Sequence, residues 1–336
     1  MGAQTKADNC AEIKAFLIAE GGVDIDERVL GRITTPASGP GAGLTSFFLR
    51  FDGHRVRLGV KHGSRLKASL EGDQVVISDA GKEVVRGYLE DAIAHCPEQA
   101  YITVSEVCVF DCQFCPVPLL GGTVKERREV EKAIEQILAD PKLSGKLRAI
   151  ALTSGIEEST QSEVERIAVI VHALKERFDL PIGVSVYPTP TSTKLLKAAG
   201  AEEIKYNVET MDRNLFEKMC PGLSLEFILE ELKDAVEVFG RNKVFSNLIV
   251  GLGEDDDSII NGLEELTSMG VIPMLRAAVE HPLRAQAGIR RPDPERLLRL
   301  ARKERELLDK HGLRADVAQT MCAPCTGCDL VPHRDV

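Results

Sequence analysis

The run Val107-Cys-Val-Phe-Asp-Cys-Gln-Phe-Cys-Pro116 decides how this chain is interpreted. Its three cysteines, Cys108, Cys112 and Cys115, have the spacing C-x3-C-x2-C, and the aromatic Phe114 precedes the last of them. Three thiolates on one short loop can ligate three irons of a [4Fe–4S] cube and leave the fourth iron open to a substrate or cofactor. Zinc is the alternative, but a structural zinc site takes four protein ligands, and no fourth Cys or His lies near this loop in the sequence.

The composition predicts a soluble cytoplasmic enzyme in a reducing setting. The 336 residues are 43% hydrophobic and 4% aromatic, which suits a large domain and a smaller one with an aliphatic core. A net charge of −10 argues against a nucleic-acid partner, because no overall positive field attracts phosphate. Nine cysteines, six of them in two tight clusters, favour metal ligation over a secreted disulfide scaffold. Neither a signal-peptide pattern nor an apolar run of about 20 residues occurs, so we expect no membrane partner.

Three regions are expected along the chain. Residues 1–95 are predicted to form a small N-terminal α+β module, residues 96–312 the main domain, and residues 313–336 a cysteine-rich C-terminal tail. We interpret the N-terminal module as a stabilising cap or as a docking surface for a protein substrate. It contains a predicted helix at 11–20 and short strands separated by hairpin turns such as Asp52-Gly53. These predicted strands cover residues 46–51, 55–60, 67–70 and 74–78.

Strand and helix patterns alternate through the main domain. This alternation implies a parallel sheet with right-handed crossovers, and six strands are too few for a closed eight-fold barrel. We therefore predict an α/β fold, a partial (β/α)6 TIM-like barrel with its site at the C-terminal strand ends. The predicted strands cover residues 100–104, 147–153, 182–186, 203–208, 244–250 and 272–279, and the predicted helices residues 125–139, 162–178, 191–199, 224–239, 256–269 and 295–311.

The cysteine loop, placed after the first strand of such a barrel, resembles the signature of the radical S-adenosylmethionine (SAM) superfamily. The resemblance implies that SAM binds the open iron of the [4Fe–4S] cluster through its amino and carboxylate groups. It also implies that an electron from the cluster cleaves SAM to methionine and a 5′-deoxyadenosyl radical, which abstracts hydrogen from a substrate. Cys108, Cys112 and Cys115 are then catalytic residues as well as metal ligands, and Phe114 belongs to the cofactor site.

The end of the second strand supplies candidate SAM contacts. The resemblance places groups that hold the methionine amine at Thr153, Ser154 and Gly155, with Glu157 as a weaker candidate. A Gly-Gly-Glu type sequence is common there in the family, and this chain departs from it. The alternative is an ordinary strand-to-helix turn with a serine N-cap.

Two later strand ends complete the predicted SAM site. Asn207 and Glu209 alternate on one face of an extended chain and are assigned to the ribose hydroxyls or the carboxylate of SAM. Gly251 and Gly253 resemble the family's G-x-I-x-G-x-x-E element near adenine, with Asn247 in place of the first glycine. Glycine at such positions lets the backbone approach a flat base closely.

The run Asn207-Val-Glu-Thr-Met-Asp-Arg-Asn-Leu-Phe-Glu-Lys-Met-Cys-Pro-Gly222 resembles lipoyl synthase, in which an Asn-Leu-Glu-Thr segment leads through a Leu-Tyr pair to Arg-Pro-Gly. Leu152-Thr-Ser154 resembles the same family, and Val250-Gly-Leu-Gly-Glu254 resembles both lipoyl and biotin synthases. The resemblance covers roughly residues 100 to 280. It predicts a sulfurtransferase of lipoate biosynthesis that thiolates an octanoyl chain by radical SAM chemistry.

The tail triplet Cys322, Cys325 and Cys328 is predicted to hold an auxiliary [4Fe–4S] cluster that donates the sulfur. Structural zinc with His333 as fourth ligand is the alternative. Single-chain lipoyl synthases carry their auxiliary cysteines before the radical SAM loop and have an Arg-Ser-Ser-Tyr segment at the C-terminus; this chain has neither. It looks more like the two-component lipoyl synthases of archaea and some bacteria, in which two biotin-synthase-like proteins share the two sulfur insertions.

The resemblance implies three partners: an octanoylated carrier protein or lipoyl domain, a second radical SAM subunit, and a low-potential electron donor such as ferredoxin or flavodoxin. The competing function is a radical SAM methyltransferase or a rearrangement enzyme or maturase, in which the tail cluster is an electron relay or substrate anchor. A non-catalytic iron–sulfur or zinc protein is the third possible function.

Cys10, Cys96 and Cys220 are interpreted as packing residues, with cavity lining as the alternative for Cys220. Arg276 is expected to face the barrel lumen, toward a carboxylate, an iron or an acidic neighbour, and His281 is a weaker candidate of the same kind.

Overall fold

The N-terminal part of the chain folds as a helix followed by a small β-barrel. A computed structural model describes residues 2–30, 35–36 and 39–336. Its first elements are α1 (Gly2–Glu20), β1 (Gly22–Ile25), α2 (Glu27–Leu30), β2 (Thr35–Pro36), β3 (Thr45–Phe51), β4 (His54–Val60), β5 (Leu66–Glu71), β6 (Gln74–Asp79) and β7 (Lys82–Glu90). The barrel order is β3-β4-β1-β5-β6-β7, and it closes because β7 pairs back onto β3. Closure leaves these strands with few unpaired edges.

The predicted helix and the four predicted strands of this region are confirmed, and β1, β2 and β7 are additional. The two-residue turn Asp52-Gly53 joins β3 to β4 with both residues at positive φ, as a tight hairpin requires. Residues 1, 31–34 and 37–38 of the predicted N-terminal module lie outside the described residues. The division of the chain at residues 95 and 312 stays a prediction.

A parallel sheet forms the main domain, as predicted. Between residues 99 and 277, which are all described, six strands follow one another: β8 (Gln99–Thr103), β9 (Ala149–Thr153), β10 (Ile182–Ser185), β11 (Glu203–Lys205), β12 (Val244–Val250) and β13 (Ile272–Ala277). They are paired in chain order, and the described residues contain no pairing of β8 with β13. The sheet is therefore a partial TIM-like barrel that stays open on one side.

Helices cover the outside of this sheet. They are α3 (Arg127–Ala139), α4 (Thr160–Arg177), α5 (Ser192–Ala199), α6 (Arg213–Met219), α7 (Leu225–Phe239), α8 (Asp256–Ser268) and α9 (Pro294–Lys310). Side-chain oxygens of Ser159, Asp212 and Ser224 accept backbone N–H groups at the starts of α4, α6 and α7, which stabilises these ends. Helix α6 was not predicted, since its seven residues bury only Phe216 and Met219. No helix in the part of the chain that the structure describes is long and apolar enough to cross a membrane.

The C-terminal tail closes the barrel at the N-terminal ends of its strands. Gln99, which begins β8, bonds through its side-chain amide to both backbone polar groups of Met321, at 2.8 and 2.7 Å. The carboxylate of Glu203, which begins β11, accepts the backbone N–H and the hydroxyl of Thr320. Gly183 makes room for this approach, because a Cβ there would lie 2.1 Å from the Thr320 hydroxyl oxygen. The short helix α10 (Cys322–Cys325) follows at once.

Candidate active site

A cavity of about 390 Å³ lies inside the partial barrel. Its wall contains Thr103, Thr153, Ser185 and Lys205, which are register partners on four successive strands. They share one face because side chains alternate along a strand, so the strand pattern that buries the outer face also builds this polar inner layer. A wider groove of about 720 Å³ lies elsewhere, on the outside of α9, with mostly charged side chains and, among the described residues, no cysteine.

The predicted cysteine loop forms one end of the cavity. Cys108, Cys112 and Cys115 are half-buried and all line it, and Phe114 is buried beside them. Arg284 holds the loop in place by donating to the carbonyl of Cys115 at 2.7 Å and to the carboxylate of Asp111. Sequence reasoning missed Arg284, because it lies 169 positions further along the chain from Cys115.

The loop thiols lie in an environment that disfavours free thiolates. Burial raises the pKa of Cys108, and burial together with the neighbouring thiols raises the pKa of Cys115 to about 12. Metal coordination offsets this penalty, since a coordinating thiol is deprotonated. Among the described residues, no three Cys, His, Asp or Glu side chains lie close enough to share one metal ion. The cysteines of a cube have no such requirement, because each binds a separate iron.

The end of β9 faces the cysteine loop. Thr153, Ser154 and Gly155 all line the cavity, as predicted for SAM contacts. The Ser154 hydroxyl is engaged within the protein, where it donates to Glu163 at 2.5 Å and accepts from the backbone N–H of Ser105 at 2.9 Å. A Cβ on Gly155 would lie 2.2 Å from the carbonyl oxygen of residue 107, so only glycine fits against the loop. This strand end therefore positions the cysteine loop and leaves the Thr153 side chain facing the cavity.

Glu209 is a strained residue on the cavity wall. Its φ is +60°, which is uncommon for a residue other than glycine and is typical of functional positions. Its backbone N–H donates to the carbonyl of Asn247 at 2.9 Å, which fixes this conformation. Burial raises the pKa of Glu209 to about 7, although Lys205, a hydrogen bond with Asn207, and Arg276 act in the opposite direction.

The side chain of Asn247 carries an unsatisfied acceptor. Its backbone N–H donates to the Asn207 side-chain oxygen at 3.2 Å, whereas its own side-chain oxygen is buried without a hydrogen-bond partner. Both asparagines line the cavity. Buried polar atoms are nearly always paired, so this oxygen indicates a ligand or water that donates to it.

The two predicted glycines after β12 shape a turn beside the cavity. Gly251 and Gly253 have φ values of +115° and +126°, and their N–H groups donate to the carboxylate of Glu254. A Cβ on Gly251 would lie 2.0 Å from the carbonyl oxygen of Arg290. The intervening Leu252 lines the cavity, whereas the two glycines do not. Their role in this structure is to permit the turn.

Two weaker candidates bond elsewhere. Glu157 forms a salt bridge with Arg166 at 2.6 Å. His281 donates from Nε2 to the carbonyl of Ala42 at 3.1 Å and accepts the N–H of Leu283 at Nδ1. Neither side chain is part of the cavity wall.

The tail cysteines lie at the other end of the same cavity. Cys322 and Cys328 line it, and Cys325 is buried next to them. Lys205 donates to the sulfur of Cys322 at 3.6 Å, and Arg276, which lines the cavity as expected, pairs with Asp329 at 2.8 Å. The buried Lys205 and the half-buried Arg276 suit a site that carries negative charge. Lys205 was missed, although its alternation with Asn207 and Glu209 could have placed it on the inner face.

The three remaining cysteines differ in their surroundings. Cys10, a residue of α1, is buried in the core. The Cys220 thiol is hydrogen-bonded to Cys112 of the loop and lies outside the cavity wall. The Cys96 thiol is buried and hydrogen-bonded to Cys325 of the tail. Sequence reasoning treated Cys96 as a packing residue because it is 226 positions away from Cys322.

Comparison with known proteins agrees with this site. The family model of the radical SAM superfamily matches residues 102–266. The chain is 23% identical over 310 residues to the bacteriochlorophyllide c C-7(1)-hydroxylase of Chlorobaculum limnaeum, which covers 76% of this chain and 75% of that protein. It is also 23% identical over 200 residues to the lipoyl synthase of Haemophilus influenzae, and this match covers 58% of the chain and 61% of that protein.

Solved structures show the same fold. Methylornithine synthase (PylB) has a TM-score of 0.51 at 19% identity and covers 61% of this chain and 62% of its own. The [FeFe]-hydrogenase maturase HydG has a TM-score of 0.50 at 16% identity and covers 62% and 50%. Fold and cysteine loop together define an iron–sulfur enzyme built on a partial TIM-like barrel. Residues 102–266 of the chain carry a radical SAM domain, as the sequence predicts.

A radical SAM domain implies a [4Fe–4S] cluster and SAM, and the residues present fit both. Cys108, Cys112 and Cys115 are the thiols for the cluster. The unsatisfied oxygen of Asn247 and the carboxylate of Glu209 are acceptors for amino and hydroxyl groups of a ligand.

Proposed function

We propose that this protein is a radical SAM sulfur-insertion enzyme, a lipoyl synthase subunit that thiolates an octanoyl chain on a carrier protein or lipoyl domain. The observation that carries the proposal is that the loop cysteines and the tail cysteines Cys322 and Cys328 line one cavity. A substrate carbon in this cavity is within reach of both sets. When bound, the loop cluster would supply the electron that cleaves SAM, the 5′-deoxyadenosyl group would take up the substrate hydrogen, and a tail [4Fe–4S] cluster would supply the sulfide that bonds to the substrate carbon and the iron that accepts the remaining electron.

The protein's own residues have three tasks in this function. Asn207, Glu209 and Asn247 hold SAM beside the loop. Lys205 and Arg276 offset negative charge at the tail. Apolar side chains between the two sets of cysteines receive the alkyl chain and exclude water from the reacting carbon; they include Phe110, Ile156, Val186, Leu223 and Ile249.

The test uses protein reconstituted with iron and sulfide under anaerobic conditions. It is mixed with SAM, dithionite and an octanoyl-lysyl peptide, and the products are analysed by mass spectrometry. We expect 5′-deoxyadenosine and a peptide that has gained sulfur. The Cys328→Ala variant should form deoxyadenosine without sulfur gain, and the Cys112→Ala variant should form neither. Deoxyadenosine without any sulfur gain by the unmodified protein would sink sulfur insertion and leave the superfamily assignment intact.

The proposal includes two further proteins and a location. A second radical SAM subunit performs the other sulfur insertion, and a low-potential donor such as ferredoxin or flavodoxin delivers electrons. Because exposed clusters need a reducing environment, we place the protein in the cytoplasm. Co-purification of a second radical SAM protein with a tagged copy of this chain tests whether that second subunit exists.

A second candidate is a radical SAM enzyme without sulfur insertion, such as a methyltransferase or a maturase, whose tail cluster relays electrons or anchors the substrate. The likeness to a hydroxylase over 76% of this chain favours it, because that match extends well beyond the barrel core. The two candidates differ in one measurable quantity. A sulfur donor loses sulfide from the tail cluster during a single turnover, whereas a relay or anchor keeps it.

A further inference from the structure

We propose that Cys96 is the fourth cysteine ligand of the tail cluster, so that Cys96, Cys322, Cys325 and Cys328 form one four-cysteine site. The inference rests on the proposed function only in requiring a cluster at the tail. The proposal adds one ligand, Cys96, from a different region of the chain. Each of the four irons of the cube then has a cysteine ligand.

The position of Cys96 is the first argument. Its side chain is 1% exposed, and it packs with Cys325 and Phe48 in one buried cluster. Cys322 and Cys328 are close enough to interact with it electrostatically. The buried thiols of Cys96 and Cys325 and the half-buried thiols of Cys322 and Cys328 therefore lie in one region, and four cysteines are the ligand set of a [4Fe–4S] cluster.

The backbone that carries Cys96 is fixed by the same contacts that fix the tail. The Cys96 carbonyl accepts the N–H of Ile93 at 3.0 Å, and Cys96 forms a β-bridge with Gln99. The Gln99 side chain in turn bonds to both backbone groups of Met321, the residue before Cys322. One short segment thus sets the position of Cys96 relative to the tail.

The N-terminal barrel encloses the remaining side of this site. Gly327 lies against Phe48, where a Cβ would be 2.5 Å from the ring, and its carbonyl accepts the N–H of Arg57 at 2.6 Å. Arg55 donates to the carbonyl of Cys325 at 2.9 Å and pairs with Glu90. The tail loop is therefore held between the small barrel and the partial barrel.

Charge around the thiols is the second argument. Arg57 and Arg276 both interact electrostatically with Cys328, and Lys205 donates to the sulfur of Cys322. Four thiolates around a cube leave a net negative charge, and a buried negative charge requires paired cations. A purely structural packing cysteine would have no need of this surrounding charge.

Other fourth ligands are engaged elsewhere. His333 bonds through Nε2 to Asp309 at 3.1 Å and accepts the N–H of Ala315 at Nδ1. The guanidinium of Arg276 pairs with Asp329. Cys96 is thus the side chain best placed to complete the site.

The experiment isolates the tail cluster by changing Cys108, Cys112 and Cys115 to Ala. After anaerobic reconstitution this background should hold about four irons and four sulfides per chain. Adding Cys96→Ala should destabilise one iron, so that mild oxidation yields about three irons and the electron paramagnetic resonance signal of a three-iron cluster. Adding Cys10→Ala, which removes a buried cysteine of α1 that is not one of the four proposed ligands, should leave about four irons.

Each other result has a defined meaning. Unchanged iron content and an unchanged cube signal with Cys96→Ala would overturn the four-cysteine site and leave the proposed function standing. Absence of iron from the background itself would overturn the tail cluster and, with it, sulfur donation. The Tm of metal-free Cys96→Ala protein should match that of the metal-free background, because the effect requires bound iron; a lower Tm together with uniform loss of all iron would assign Cys96 to packing.

Discussion

The half-buried carboxyl of Glu209 is expected to make the stability of the metal-free protein depend on pH. Burial raises the pKa of Glu209 to about 7, from an ordinary value of 4.5. Below pH 4.5 the carboxyl is protonated in both the folded and the unfolded chain, so it does not change the free energy of unfolding. As the pH rises from 4.5 to 7, the unfolded chain loses this proton while the folded chain keeps it, so the free energy of unfolding falls. Above pH 7 the carboxyl is ionised in both states, and the loss of stability reaches its full size.

The size of the effect follows from the same values. The pKa of Glu209 is 4.5 in the unfolded chain and about 7 in the folded chain. At ~1.4 kcal/mol per pKa unit, this difference lowers the free energy of unfolding by roughly 3 kcal/mol. The side chain is half-buried and reached from the cavity, so water there reduces the penalty to about 1–2 kcal/mol. Glu209→Gln removes it, because the amide stays neutral at every pH in this range.

Urea unfolding of metal-free protein at pH 5 and pH 8 measures the effect. We expect Glu209→Gln to match the unmodified protein at pH 5 and to exceed it by about 1–2 kcal/mol at pH 8. Glu306→Gln, a change at an exposed carboxylate, is the matched control and should shift neither value. Equal stability differences at both pH values would refute the reasoning, because they would mean that Glu209 ionises normally in the folded chain.

Three further predictions concern the site. Ser154→Ala should lower the free energy of unfolding by about 1–3 kcal/mol in urea and leave SAM affinity unchanged, because the hydroxyl bonds within the protein; a large loss of SAM affinity with normal stability would contradict this. Gly183→Ala places a Cβ against Thr320 and should expose the tail to limited proteolysis, whereas Gly145→Ala, with open space around its Cβ, should not; equal protection of the tail in both would count against the close approach. Lys205→Met removes a buried cation beside a tail thiol and should lower the reduction potential of the tail cluster in a redox titration, and an unchanged or higher potential would contradict the assigned role.

Local sequence patterns predicted much of the fold. The six barrel strands and the hairpins of the N-terminal region are encoded by hydrophobic period and turn residues, which act over a few positions. The cysteine loop was equally predictable, because Cys108, Cys112 and Cys115 are too close in sequence to separate in any fold. Asn207 and Glu209 line the cavity, but the extended chain predicted for them is wrong, because β11 ends at Lys205 and Glu209 has a φ of +60°.

Tertiary packing decided what local pattern does not encode. The Ser154 hydroxyl looked available from the sequence, and its commitment to Glu163 and Ser105 depends on how β9 lies against the loop. Cys96 looked like a packing residue, and its contact with Cys325 depends on the tail folding back beneath the barrel.

By itself the sequence determined the enzyme class, since three thiols on one loop fix the chemistry of the bound iron without reference to the rest of the chain. Only the tertiary structure decided that Cys322 and Cys328 share a cavity with that loop and that Cys96 packs against Cys325. The physical reason is distance along the chain. Contacts between residues more than 200 positions apart depend on how whole helices and strands pack, and the spacing of residues within a motif does not predict that packing.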